Sequence, residues 1–172
     1  MKVLVCISKT PDTTAKISFS NDGKDFQADG VQFILNPYDE WFALVRGLEL
    51  TESQGGTVTV INVGLADNDT VIRKALAIGA QDAVRINKAP EGAWDVAQQL
   101  AAYIKGQSYD LVLLGKETID YNDSEVGAIL AELLDMPFIS YANKLDIQGT
   151  KATINREIEG GTEIMEASLP LV

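Results

Sequence analysis

Leu111-Val112-Leu113-Leu114-Gly115-Lys116-Glu117-Thr118-Ile119-Asp120-Tyr121-Asn122-Asp123-Ser124-Glu125-Val126-Gly127 is the stretch that decides the fold. It opens on an unbroken apolar run, turns at Gly115, crosses a polar loop and re-enters apolar sequence at Val126, after which Ile129, Leu130, Leu133 and Leu134 follow at helical spacing. A run that is apolar at every position predicts a strand buried on both faces, and such strands belong to parallel sheets covered by helices. The stretch therefore reads as strand, loop and helix.

The same unit recurs along the chain. Val3 to Ile7 is a β-branched apolar run ended by Ser8-Lys9-Thr10-Pro11-Asp12, Thr57 to Val63 is another turned by Gly64, and Ala83 to Ile86 is a shorter one. Between them, Trp41, Leu44, Val45 and Leu48 predict a one-sided helix opened by Asn36 as cap and Pro37 in the first turn, and closed by Gly55-Gly56. Val71 to Ile78 and Trp94 to Ile104 predict two more helices, with Trp41 and Trp94 on their core faces. Short extended segments are expected at Ile17–Phe19, Phe33–Leu35 and from Phe138-Ile139. Strands alternating with helices predict an α/β fold with a doubly wound, mainly parallel sheet, a Rossmann-like three-layer sandwich. Ligands of such sheets bind beyond the carboxyl ends of the strands. The loops Ser8 to Asp12, Val63 to Asp67 and Gly115 to Gly127 occupy those ends.

The tail has a different texture. Leu145 to Ile147 and Ala152 to Ile158 are expected to pair through Gln148-Gly149, and Thr162 to Ala167 follows Gly160-Gly161. These segments predict an antiparallel extension at one edge of the sheet. Residues 1–172 read as a single domain, and the apolar Leu169-Pro170-Leu171-Val172 end has the look of a trimmed strand.

Composition narrows the chemistry. The 172 residues carry 14 basic and 25 acidic side chains, a formal net charge of −11, which argues against nucleic acid as a partner. There is no histidine, so Ser-His-Asp and Cys-His catalysis are excluded. The single Cys6 allows no intrachain disulfide and reads as a buried structural thiol. The apolar run after Lys2 is too short for a signal peptide or a membrane span, so a cytoplasmic setting without membrane insertion is expected. Neither a Walker loop nor a G-x-G-x-x-G motif is present.

The Gly115–Gly127 loop is the candidate site. Amides left free at a helix opening, with Asn122, Asp123 and Ser124 beside them, make an anion site, to which Lys116 adds charge and Thr118 a hydroxyl. The plainer reading is that Asp123 or Ser124 caps the helix. Asp120, Asp123 and Glu125 argue against several phosphates, and no spacing here marks a metal loop. No base, nucleophile and oxyanion donor come together, so an autonomous catalyst is not expected.

Five stretches, in order, resemble the beta subunit of electron transfer flavoprotein, the FixA-like family. They are Val3 to Asp12, Asn36-Pro37-Tyr38-Asp39-Glu40, Ile72 to Ala80, Gly115 to Gly127, and Arg156-Glu157-Ile158-Glu159-Gly160-Gly161. The resemblance implies an adenine nucleotide alpha hydrolase-like fold. It implies a heterodimer with an alpha subunit, carrying electrons between flavin dehydrogenases and acceptor oxidoreductases. FAD would sit in that complex, and AMP or a second FAD in the beta site. Carried over by motif, the nucleotide contacts fall on Cys6, on Asn36, Pro37, Tyr38 and Asp39, on Val63, and on Lys116, Glu117, Thr118, Ile119, Asp120, Tyr121, Asn122, Asp123, Ser124, Glu125, Val126 and Gly127. It also implies a chain that continues past Val172 into an arm around the alpha subunit.

The departures bear on the site. Where the family pattern has glutamine, this chain has Glu117 and again Glu125, and Asn122 stands where an acid is usual. A glutamate in place of glutamine adds a charge and removes an amide donor. Weaker binding of AMP or FAD, or an empty site in the isolated chain, is expected.

Overall fold

The structure, a computed structural model, describes residues 1–172. Four parallel strands form its centre in the order β5-β4-β1-β6, where β1 is Lys2–Cys6, β4 Thr57–Val63, β5 Asp82–Ile86 and β6 Leu111–Leu113. Register follows the apolar runs, with Val3 opposite Val58 and Leu111, and Val5 opposite Val60 and Leu113. Alternation then divides β1 between two cores. Val3 and Val5 face α1 (Asp39–Gln54) and α2 (Asp69–Ile78), packing with Leu44, Leu48, Val71 and Ala75. Leu4 and Cys6 face α3 (Ala93–Ile104) and α4 (Val126–Leu134), packing with Leu100, Ile104 and Leu130. Each such buried aliphatic contributes about 1.5–3 kcal/mol. Gly47 lets α1 approach the sheet closely, since a Cβ there would lie 3.3 Å from Val3 Cγ1 and 3.4 Å from Val5 Cγ2. The doubly wound three-layer expectation is met. β1 lies between β4 and β6, so the chain reverses direction across the sheet beside it.

Several details differ from the sequence expectation. The Ser8–Asp12 loop contains a short strand, β2 (Lys9–Pro11), paired antiparallel with β3 (Phe33–Leu35). Phe138-Ile139 does not open a strand. The next strand is β7 (Ala142–Gln148), which pairs with β8 (Lys151–Ile158), which in turn pairs with β9 (Gly161–Ser168). These three strands form a sheet of their own and do not extend the parallel one. Their buried side chains Leu145, Ile147, Ala152 and Ile154 join the α1 core, and the Arg46 guanidinium donates to the Leu145 carbonyl at 2.6 and 3.0 Å. The parallel edge is met only by the chain end, where Leu171 bridges Leu111 and its carbonyl accepts from the Val112 amide at 2.9 Å. No helix is long and apolar enough to cross a membrane.

Trp41 and Trp94 are not core residues, being 38% and 58% exposed. Both sit at the amino-terminal ends of their helices, where the apolar stripe runs past the covering sheet. Trp94→Ala is therefore expected to cost under about 1 kcal/mol in a urea denaturation series, against the 3–5 of a buried tryptophan. A loss above about 3 kcal/mol would restore Trp94 to the core.

Candidate functional site

The carboxyl ends of β1, β4 and β6 open into a cavity of about 390 Å³. Cys6, Ile7, Ser8 and Lys9 enter from the end of β1, Ile61, Asn62 and Val63 from β4, and Pro90 to Ala93 with Val96 and Leu100 from the start of α3. The β6–α4 loop supplies Leu114 to Thr118, Asp120, Tyr121, Asp123 and Val126. This is the crevice that a doubly wound sheet reserves for ligands.

Glu40 closes the inner wall. It is 5% exposed, and its carboxylate accepts from the Ser8 amide at 2.5 Å. Burial pushes its carboxyl up to about 8, with Asp120 raising it further and the Ser8 bond opposing. Gly115 must lack a side chain, because a Cβ would lie 2.8 Å from Glu40 Cγ and 3.1 Å from its backbone nitrogen. Next to it, burial and the Glu40 charge push the Cys6 thiol up, so Cys6 stays protonated and is no nucleophile. Asn62 is buried, donates to the Ile7 carbonyl at 2.8 Å and accepts from Asn68 at 2.9 Å, tying β4 to β1. A side chain on Gly64 would overlap the Asn68 amide, so that glycine serves the Asn62–Asn68 contact as well as the turn.

The β6–α4 loop is held from outside and from within. Asn36, fully buried, donates to the Glu117 carbonyl at 3.0 Å and accepts from the Ile119 amide at 3.1 Å. Inside the loop the Glu117 carboxylate accepts from Ser124 Oγ at 2.8 Å and Asn122 Nδ2 at 3.1 Å, and pairs with Lys116 Nζ at 3.1 Å. Those partners, Ser124 foremost, hold its carboxyl below the usual carboxylate range. Asn122 and Ser124 take positive φ values of 54° and 55°. The main-chain amides of Asp123 to Gly127 donate to no protein acceptor, and Thr118 Oγ1 is buried without a partner.

Charge in the cavity is mostly negative. Glu91, Glu117, Asp120 and Asp123 line it against Lys9 and Lys116, with the raised Glu40 carboxyl mostly protonated at neutral pH, and both lysines are engaged, Lys9 with Asp67 and Lys116 with Glu117.

Of the residues singled out from sequence, Cys6, Val63, Lys116, Glu117, Thr118, Asp120, Tyr121, Asp123 and Val126 meet in this cavity. Asn36, Pro37, Tyr38, Asp39, Ile119, Asn122, Ser124, Glu125 and Gly127 do not line it. Asn36 is no helix cap. The helix begins at Asp39, after a Tyr38 held at φ 65°, and the Asn36 side chain is spent on the β6–α4 loop. Asp39, Ser124 and Gly127 face a second, wider groove on the other side of the loop, between α1 and the start of β7, where Phe42 and Tyr141 are exposed. Sequence reasoning missed Glu40, Asn62, Asn68 and the Pro90–Ala93 turn. A lone asparagine in the apolar Thr57–Val63 run and Gly92 just before a helix were the available signals.

Comparison with known proteins gives a consistent picture. Residues 25–172 match the family model described as electron transfer flavoprotein domain. Over its whole length the chain is 39% identical to the electron transfer flavoprotein subunit beta of Bacillus subtilis and 33% identical to that of Homo sapiens, covering 67% and 70% of them. It is 36% identical to protein FixA of Azotobacter vinelandii over 99% of this chain and 63% of that protein. The chain thus spans about two thirds of the length of the relatives it matches.

Proposed function

The chain belongs to the electron transfer flavoprotein family, on the beta-subunit side, and from that premise we propose that it is the nucleotide-holding partner of an alpha-type subunit in a flavin electron carrier. In such an assembly the flavin supplies the one- and two-electron chemistry. This chain's share is to bind, position and exclude water. The carrier would pass electrons between flavin dehydrogenases and an acceptor oxidoreductase, in the cytoplasm, where the Cys6 thiol stays reduced.

The observation that carries the reading is the strand-end cavity with free amides and an unpartnered hydroxyl at one end. Its residues fit an adenine mononucleotide. Ile61, Val63, Val96 and Leu100 offer apolar wall for a base, the free amides of Asp123 and Val126 offer donors for a phosphate, and Thr118 Oγ1 lacks the partner a bound polar group would give. At about 390 Å³ the cavity lies at the small end of ligand sites, which favours AMP over a second FAD, whose flavin would have to lie outside it. The exposed Phe42, Phe138 and Tyr141 around the wide groove support a protein partner. A second reading, a stand-alone adenine-nucleotide module or a remnant without ligand, is favoured by one feature, the Glu117 carboxylate that already occupies two of the loop's donors.

Co-expression with an alpha-type subunit tests this. A yellow heterodimer releasing flavin and AMP in equal amounts on denaturation is the expected result. Flavin alone, at twice that amount, would place FAD in this site. Nucleotide without a flavin partner would favour the stand-alone module, and neither nucleotide nor partner would overturn the reading.

A further inference from the structure

Glu40 carries the one buried side-chain carboxyl of the chain, and it stands in the wall of the strand-end cavity with no cation paired to it. Ser8 donates its amide to Oε2 at 2.5 Å, while Oε1 takes no hydrogen bond from the protein and is not enclosed by it. The titratable groups that face Glu40 do not offset a charge there. They are the Cys6 thiol from β1, Asp120 from the β6–α4 loop and, on its own helix, Asp39. Lys9 and Lys116 line the same cavity, but their ion pairs are with Asp67 and Glu117. Burial without a counter-charge favours the neutral acid, and the Glu40 carboxyl is pushed up to about 8. Unlike a carboxylate, a neutral acid donates one hydrogen bond. With Oε2 accepting from Ser8, that hydroxyl belongs on Oε1, the oxygen the protein leaves open.

We infer that Glu40 is a further ligand-binding residue of this site, presenting a carboxylic-acid O–H to an acceptor atom of the bound nucleoside, so that binding is linked to the proton on Glu40. The inference rests on the adenine-site reading above. A filled cavity strips the remaining water from Oε1. The neutral acid then keeps a partner, whereas a carboxylate would face the acceptor's lone pair undischarged. The bound state therefore holds the proton more tightly than the free state. Above about pH 8 the free site has given that proton up, and binding takes one back from solvent. By linkage, affinity is level below about pH 7 and falls about tenfold between pH 7 and pH 9. AMP adds no titration of its own in that range, because a phosphate monoester has its second pKa at about 6. Adenosine, which has no phosphate, shows the same dependence.

The test is calorimetric titration of the 172-residue chain with AMP and with adenosine from pH 7 to pH 9, each in two buffers of different ionisation enthalpy. At pH 8.5 about three quarters of a proton is expected to be taken up per ligand bound, for both ligands, and close to none at pH 7. Glu40→Gln keeps an acceptor for Ser8 and cannot titrate, so the uptake and the pH slope are expected to vanish in it. Infrared difference spectra supply a second readout. Adding AMP to the unaltered chain at pH 7 is expected to shift a protonated-carboxyl band that Glu40→Gln lacks. A carboxyl that only braces the fold would keep its protonation state through binding, with no uptake, level affinity and an unmoved band. That result overturns the inference and leaves the adenine site in place, and uptake that persists in Glu40→Gln overturns it as well. If neither AMP nor adenosine binds, the adenine-site reading falls, and this inference with it. Calorimetry and infrared spectra of the unaltered chain need no variant, so the inference remains falsifiable if Glu40→Gln does not fold.

Discussion

The chain is expected to lose stability steadily from pH 4.5 to about 8, and the Glu40→Gln variant to lose little of it over the same range. Glu40 is buried with one short bond to the Ser8 amide, and burial is the dominant cause raising its carboxyl from 4.5 to about 8. A carboxyl raised on folding binds its proton more tightly in the native state than in the unfolded one. Its contribution is fully present below the unfolded value and is lost as pH rises through the folded value. The shift of about 3.5 pH units corresponds to about 5 kcal/mol at 1.36 kcal/mol per unit, a large part of a typical domain's stability. The lowered carboxyls of Asp12, Asp67, Asp95 and Glu117 give up their contributions below this pH window, and the chain has no histidine. Glutamine keeps the acceptor for Ser8 without the charge. Urea denaturation at intervals across the window measures the slope in both proteins, and equal slopes would remove Glu40 as its source.

Glu40 also shows where sequence reasoning stopped. Following Asp39 at the head of a helix, it looks like one of the acids that favour a first turn in water. Its burial comes from Ser8 and Gly115, which are 32 and 75 positions away and reach it only once β1 and β6 lie side by side. The parallel sheet was legible because Val3 to Cys6 and Leu111 to Leu113 are apolar at every position, and a two-faced strand has few alternatives. The antiparallel sheet was half legible. Alternation at Leu145, Ile147, Ala152 and Ile154 shows one buried face and the hairpin, but not which surface covers it. That was decided by α1, whose Arg46 and Gln54 side chains bond the Leu145 and Ile147 carbonyls. Helical spacing placed Trp41 and Trp94 on apolar faces, yet how far a stripe is covered depends on the neighbour's extent, which periodicity does not contain.

Within the site, residue type was a better guide than residue role. The loop from Lys116 to Val126 was found because a polar stretch between a buried strand and a helix is where a doubly wound sheet presents donors. Half of the residues assigned to the ligand do not line the cavity, and among these the Asn36, Asn122 and Ser124 side chains bond the loop while Asp39, Ser124 and Gly127 face the wide groove beyond it. A side chain that bonds a ligand and one that bonds a loop have the same chemistry, and only three-dimensional distance separates them. Glu117 spans both roles, as a cavity wall and as the acceptor that closes the loop on itself.

Asn36→Ala distinguishes those roles directly, and it is expected to destabilise the chain by about 2–4 kcal/mol without any ligand present. Its side chain is fully buried, 81 and 83 positions from the two groups it bonds, the Glu117 carbonyl at 3.0 Å and the Ile119 amide at 3.1 Å. Removing it strands one acceptor and one donor in a poorly solvated place, at about 1–3 kcal/mol each, with less than full additivity because both belong to one loop. The loop then loses its tie to the segment that precedes α1, and the free amides of Asp123 and Val126 are no longer held at the cavity. Hydrogen exchange at Ile119 should rise by at least about tenfold, in step with a lost bond of this size. Nucleotide affinity should fall as a consequence, even though Asn36 does not line the cavity. A residue that only touched ligand would behave differently, leaving the free chain's denaturation midpoint and the Ile119 protection as they were while affinity alone dropped. That second pattern would return Asn36 to the ligand, and the first makes it the residue that builds the place where the ligand sits.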